Sequence, residues 1–289
     1  MENGSLLKYN GDSFFEGSLV EPLSCVVGAF NAQYHMKKMY SYEHVMGIKE
    51  GGAIALLGAT GPMGFFAIHG PKKPKTLVVT GRTQKKIDMA ARLYTAEEAK
   101  KNGVDLVYIN TRDIADVNKE LRKYSEKGFD DVFIFAPNEE MVTYGVKMLA
   151  FDGCLNFFSG PADQEFSSRV NFYNIHYNST HFVGTSGGNT EDMKQSIELI
   201  ENKTVNVAKI ATHILGLDHA VETTKALPEL EGSKKIVYTH KKFPLTEVDK
   251  FDENSDDKYI RELKSIVECN GNLWSAEAER YFIQNAPEI

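Results

Sequence analysis

The sequence predicts an α/β fold built on a doubly wound parallel sheet. Three observations carry that prediction: short runs rich in Val, Ile and Phe recur through the middle of the chain, segments of helical period lie between them, and a glycine loop joins the first run to the segment after it. Strands covered on both faces read as near-continuous apolar runs, because each crossover must bring the chain back along the sheet.

The first strand-like run lies in AIALL (53–57) and leads into GATGPMG (58–64). It is followed by TLVVTG (76–81), DLVYIN (105–110), DVFIFAP (131–137), CLNFFSG (154–160) and HFVGTSGG (181–188). Between them, TQKKIDMAARLY (83–94) puts Ile87, Ala90, Ala91 and Tyr94 at helical spacing. ADVNKELRKYSEKG (115–128) reads as a helix ending on a glycine suited to a C-cap, and NEEMVTYGVKMLAFDG (138–153) repeats the helical pattern. Residues 46–204 are therefore expected to form one Rossmann-type domain. Residues 1–45 precede it, with Cys25, His35 and His44 expected on a helical stretch. Residues 205–289 follow it, with strand-like and helix-like pieces and two closing amphipathic helices on which Ile260, Leu263, Ile266 and Val267 share a face.

Composition excludes several function classes. In 289 residues the formal net charge is −7 and the basic residues are dispersed, so no stripe exists to follow a nucleic-acid backbone. Cys25, Cys154 and Cys269 lie far apart and form no CxxC pair, which suits a reducing compartment; a cytoplasmic location is expected. MENGSLLKYNGD has no basic segment followed by an apolar one, as a secretion signal would. Residues 51–71 carry no Asp, Glu, Lys or Arg, but their glycines and Pro62 break them into a strand and a turn rather than a membrane span.

The loop suits a dinucleotide. In such turns the chain leaves a strand, bends sharply and enters a helix whose first N–H groups point at the pyrophosphate, with small residues allowing close approach. Gly61 and Gly64 take the second and third glycine positions, Ala59 stands at the first, Gly58 relieves the turn, and Pro62 and Met63 lie between. A carboxylate about 20 residues further on would bind the adenosine ribose and repel a 2′-phosphate. That place holds Gly81, followed by Arg82, Thr83, Lys85 and Lys86, so NADP is expected in preference to NAD.

Six segments together resemble the zinc-dependent medium-chain dehydrogenases, and within them the sorbose-phosphate reductase group: 19–25 (LVEPLSC), 58–80, 152–161 (DGCLNFFSGP), 171–189 (NFYNIHYNSTHFVGTSGGN), 210–217 and 273–282 (LWSAEAERYF). The resemblance covers nearly the whole chain. It implies nicotinamide-dependent reduction of a ketose phosphate to a polyol phosphate. It also implies that Ala136, Pro137 and Asn138, with Ser159, Gly160 and Pro161, border the nicotinamide and its ribose, with Thr185 and Ser186 nearby. Glu21 matches a glutamate close to the catalytic zinc, whereas the family's cysteine and histidine–glutamate ligand motifs have no counterpart before residue 19. The cofactor domain is thus expected with only remnants of a catalytic domain, in 1–45 and 205–289, and with little activity alone. The resemblance further implies a homodimer or homotetramer paired through the sheet edge HFVGTS.

Three further readings of the residues belong beside this one. The chain could serve as a non-catalytic NADP-binding sensor or assembly subunit, or as a zinc-free reductase with Tyr144, Tyr173 or His176 as acid. His176 and His181 are candidates for lining a sugar-phosphate pocket, with Arg169 and Lys194 as phosphate partners.

Overall fold

The computed structural model describes residues 6–69, 73–252 and 255–289. The start of the stretch read for a leader (1–5) and the end of the uncharged stretch (70–71) lie outside the described residues. The chain divides into two compact units, Glu21–Ser196 and a second made of Met1–Val20 with Ile197–Ile289.

The first unit opens with the helix Val20–Ala32 and an antiparallel hairpin of β1 (Tyr34–Met36) and β2 (His44–Met46). His35 and His44 therefore sit on strands and not, as expected, on a helix with Cys25. Six strands follow: β3 (Ala53–Leu57), β4 (Thr76–Gly81), β5 (Asp105–Asn110), β6 (Phe129–Ile134), β7 (Leu149–Phe157) and β8 (His181–Gly184). They form one sheet in the order β5-β4-β3-β6-β7-β8, with every neighbouring pair parallel. From β3 the chain winds outward through β4 and β5, then returns to the other side of β3 for β6. In a sheet wound this way, the reversal opens a crevice at the carboxyl ends of the strands.

Burial explains the strands. Ile54, Ala55, Leu56 and Leu57 are all 0% exposed, so both faces of β3 are covered. On one face Ala55, Leu57, Val132 and Ile134 pack with Met141, Val142 and Val146 of the helix Glu139–Lys147. Phe133 alternates with these residues, and its ring stacks on Phe30 of the helix Val20–Ala32 at 4.8 Å. This packing places residues 21–45 in the same compact unit as the sheet, whereas the sequence suggested a boundary near residue 46.

Two helical expectations change. The expected helix over 115–128 is only Val117–Leu121, and Gly128 does not cap it. Gly128 has φ +94, and a Cβ there would lie 2.6 Å from the Met148 carbonyl oxygen, so this glycine permits the close approach of β6 to the start of β7. The helical reading of 138–153 stops at Lys147, and Leu149 already begins β7.

At the amino ends of β6 to β8 the hairpin covers a set of buried charged groups. The Asp131 carboxylate accepts from Gln33 Nε2 at 2.9 Å and the Lys49 N–H at 2.9 Å, and it faces His35 Nε2 at 3.1 Å. His35 Nδ1 lies 2.9 Å from the Asp152 carbonyl oxygen. Both ring nitrogens thus face acceptors, which only the protonated imidazole can satisfy together. Asp152, with φ +60, accepts the Met36 N–H at 3.0 Å and meets His181 Nε2 at 2.8 Å.

In the second unit, β9 (Ala211–Gly216) pairs parallel with β10 (Lys234–Tyr238) and antiparallel with β11 (Thr246–Glu247). The terminal helices are Lys258–Cys269, which buries Leu263 and Val267, and Ala276–Asn285. Glu279, 1% exposed, accepts from the Phe14 and Phe15 N–H groups and from the Tyr238 hydroxyl at 2.7 Å. Trp274 Nε1 donates to that same hydroxyl at 2.8 Å. The tail segment LWSAEAERYF thus ties the helix Phe14–Ser18 to this small sheet.

The His35 contacts give a pH signature. Burial by itself would lower the ring's pKa, but the hydrogen bond to Asp131 and the charges of Asp131 and Asp152 raise it on balance. A raised folded pKa contributes stability that is fully present below the unfolded value of about 6.5 and is lost as pH rises through the folded value. Replacing His35 by Gln should destabilise the chain by about 3 kcal/mol near pH 5.5, as expected when one partner of a buried pair is removed. Denaturant melts of both proteins should show that difference shrinking toward pH 9; a constant or growing difference overturns the assignment.

Candidate functional site

The loop after β3 is shaped by close approaches. Gly58 has φ +73, a conformation that favours glycine. Its N–H donates to Thr80 Oγ1 at 3.1 Å and the Ala59 N–H donates to the Thr80 carbonyl at 3.0 Å, which pins the loop to β4. Pro62 opens the short helix Pro62–Ile68, whose N-cap is Gly61. A Cβ on buried Gly64 would lie 2.0 Å from the Ala59 carbonyl oxygen, so only glycine lets the helix fold back on its strand. Gly61 is the opposite case: it is exposed, and a Cβ there would meet nothing within 4 Å. Met63 and Gly64 carry N–H groups of the first helical turn, which have no partner within the helix.

At the end of β4, Gly81 is buried. A Cβ there would lie 2.6 Å from Thr60 Cγ2 and 3.1 Å from Ile87. The place where the fingerprint puts a carboxylate is thus filled by the Thr60 side chain, a residue the sequence reading passed over. Arg82, Thr83, Lys85 and Lys86 follow on the surface at the start of the helix Gln84–Leu93.

The remaining expected residues leave the same edge of the sheet. Ala136, Pro137 and Asn138 follow β6, with the Asn138 side chain accepting the Met141 N–H as the cap of the next helix. Ser159, Gly160 and Pro161 follow β7. Thr185 and Ser186 follow β8, with Thr185 Oγ1 donating to Asn156 Oδ1 at 3.4 Å. Five strand ends thus deliver all eighteen expected cofactor residues to one edge of one sheet.

Other expectations do not come together. His181 begins β8 at the opposite edge and binds Asp152, so it does not join a carboxyl-edge pocket. His176 lies on the helix Phe172–Asn178 with its ring against Tyr177 at 4.5 Å, and Lys194 pairs with Glu191 at 2.6 Å. Tyr173 is exposed, with its ring tilted against that of Tyr177 at 4.5 Å. Burial, with the Glu140 charge adding to it, pushes the Tyr144 phenol up to about 12, partly offset by the positive charge of Arg82.

The family's zinc finds no ligand set here. Among the described residues no three His, Cys, Asp or Glu side chains come together as a metal site requires. Glu21 sits in the first turn of the helix Val20–Ala32, where Cys25 Sγ approaches its carboxylate at 3.5 Å. Burial and the Glu21 charge raise the Cys25 thiol pKa, which disfavours the thiolate that a metal would need. Among the described residues no helix is long and apolar enough to cross a membrane.

Comparison with known proteins agrees with this architecture. The zinc-binding dehydrogenase family profile matches residues 76–202. L-sorbose 1-phosphate reductase of Klebsiella pneumoniae is 47% identical over 293 residues, covering 100% of this chain and 68% of the relative. Mannitol-1-phosphate 5-dehydrogenase of Aliivibrio fischeri is 41% identical over 287 residues, covering 97% of this chain and 68% of the relative. Among solved structures, 2R,3R-butanediol dehydrogenase of Bacillus subtilis superposes with a TM-score of 0.63 at 17% identity, covering 81% of this chain and 60% of that one. A Sinorhizobium meliloti protein, assigned as a zinc-binding dehydrogenase and solved bound to NADP, gives 0.61 at 16% identity, covering 78% of this chain and 59% of that one. The chain thus spans 68% of the length of those two curated relatives and 59–60% of the solved chains. With near-full coverage at 47% identity, this chain belongs to the zinc-binding, medium-chain dehydrogenase/reductase family.

Proposed function

We propose that this chain binds NADP(H) along the carboxyl edge of its parallel sheet, as the cofactor-holding part of an oxidoreductase that interconverts a ketose phosphate and a polyol phosphate. The observation that carries the reading is Gly61: the loop keeps open space where a side chain would stand, at the point where a pyrophosphate lies against such a turn. Gly58, Ala59, Pro62, Met63 and Gly64 shape that cradle. Gly81, Arg82, Thr83 and Lys86 take the adenosine ribose and its phosphate, and the loops after β6, β7 and β8 border the nicotinamide. The NADP-bound Sinorhizobium meliloti neighbour supports the cofactor, and the Klebsiella pneumoniae and Aliivibrio fischeri relatives support the sugar-phosphate class. Residues 1–45 and 205–289 are read as catalytic-domain remnants.

A bound nicotinamide supplies the hydride, and a ketone also needs a group that polarises its carbonyl. No step is assigned to zinc, because the residues described do not form its site. A second reading, a non-catalytic NADP-binding sensor or assembly subunit, is favoured by Glu21, the residue matched to the metal's surroundings, which meets Cys25 on its own helix. In either case β8 ends the sheet and offers an open edge for a second copy, as a homodimer or homotetramer needs.

Titration of the full chain, followed by nucleotide fluorescence, should show NADPH bound more tightly than NADH. Arg82→Asp should reverse that preference, and an unchanged NADPH affinity would sink the 2′-phosphate reading. Little or no reduction of L-sorbose 1-phosphate is expected from the chain alone; turnover at an ordinary enzymatic rate would refute that inactivity.

The two loop glycines should separate fold from binding. Gly64→Ala should lower both the melting temperature and NADPH affinity. Gly61→Ala should keep the melting temperature within about 1 °C, a shift of roughly 0.6 kcal/mol in a chain of this size, while weakening NADPH about tenfold, or ~1.4 kcal/mol. A Gly61→Ala protein that binds normally removes the cradle from the proposal.

A further inference from the structure

We infer that Arg112, at the carboxyl end of β5, is a second arginine for the 2′-phosphate of an NADP-type dinucleotide, set beside Arg82. The inference rests on the NADP(H) reading above and adds a residue on a different strand that fixes its specificity.

β4 and β5 are neighbours with Gly81 opposite Asn110, so the residues just beyond them emerge side by side from the sheet. The Thr111 N–H donates to the Gly81 carbonyl at 2.8 Å, continuing the ladder past the strand ends. The Arg112 N–H donates to Asn110 Oδ1 at 3.0 Å, and Asn110 Nδ2 donates to Gln84 Oε1 at 2.9 Å, which locks this turn to the start of the next helix. Arg112 Nε then donates to the carbonyl of Arg82 at 2.9 Å.

This last bond decides the role. It uses the inner nitrogen of the guanidinium and so places the Arg112 side chain against the main chain of Arg82, with the outer two nitrogens still able to form a fork. Neither arginine forms an ion pair with a carboxylate among the described residues. Arg112 is held beside the main chain of Arg82, and an anion bound between the two side chains relieves the mutual repulsion of their charges. The carboxylate that would oppose a phosphate is excluded from position 81 by Thr60. A phosphate at this corner can accept from both forks, which matches the extra group that distinguishes NADP(H) from NAD(H).

The test is to titrate the full chain and its Arg112→Gln and Arg112→Lys variants with NADPH and with NADH. Arg112→Gln should weaken NADPH about tenfold or more, the range of a lost charge-assisted hydrogen bond. NADH affinity should stay within about twofold, with Arg112→Lys intermediate because it keeps the charge and loses the fork. The unchanged NADH affinity also reports that the fold is intact. Added salt should shrink the wild-type preference for NADPH more than that of Arg112→Gln. Equal weakening of both nucleotides assigns Arg112 a structural role and overturns the inference. So does an NADPH preference that Arg112→Gln leaves untouched, which spares the NADP(H) reading itself. A wild-type chain that binds neither nucleotide overturns both.

Discussion

The short helix after β3 can turn back against its own strand only because residue 64 carries no side chain. Any Cβ there would overlap the Ala59 carbonyl, at 2.0 Å. Much of the carboxyl edge depends on this contact. It fixes Ala59, whose N–H is bonded to the Thr80 carbonyl, and so fixes the loop against β4. It also sets Thr60 over Gly81, which leaves the ribose corner without room for a carboxylate. The proposed pyrophosphate cradle and the proposed phosphate corner are therefore mechanically one part: displacing the loop would move Thr60 and change what position 81 can tolerate.

The two edges of the same sheet use charge in opposite ways. At the amino edge, Asp131 and Asp152 are buried and matched by donors from His35, His181, Gln33 and main-chain N–H groups, so their charge is satisfied internally. Such a cluster specifies how the hairpin sits on the sheet, and breaking it costs more than forming it contributes. At the carboxyl edge, Arg82 and Arg112 are exposed and without carboxylate partners among the described residues. Parallel strands make this division possible, since every strand begins at one edge and ends at the other. The satisfied edge holds the fold together, and the unsatisfied edge is where an anion gains most.

Local pattern made the strands legible: β4, β5 and β8 begin where their apolar runs begin, since runs buried on both faces have few alternatives. The errors came where tertiary contacts overrode local preference. Gly128 looked like a helix cap, yet its position is set by the approach of Met148, some twenty residues away in sequence. His35 and His44 fell in a stretch read as helical, but cross-strand pairing puts them on a hairpin. Of the proposed site, the glycine loop and Arg82 could be put forward from the sequence because their spacing is local. Thr60 and Arg112 were not: a threonine inside a turn and an arginine after a strand acquire meaning only when β4 and β5 lie side by side. The sequence signal that could have found Arg112 is its place two residues after a strand run, matching Arg82 one residue after its own.

Holding a dinucleotide and activating a carbonyl make different physical demands, and this chain meets them unequally. Cofactor binding needs main-chain N–H groups, small residues and a few cations, all of which a single sheet edge can present. Carbonyl activation needs an electrophile or acid aimed at one oxygen. At this edge Asn138 caps its helix and Thr185 is bonded to Asn156, so both side chains are already engaged. The Tyr144 phenol pKa is raised to about 12 by burial with the Glu140 charge. On the NADP(H) proposal, the edge is thus better suited to orienting a hydride donor than to polarising an acceptor. The property that distinguishes enzyme from sensor in this chain is therefore whether a proton donor or Lewis acid can be brought to the nicotinamide end, independent of how well the glycine loop binds.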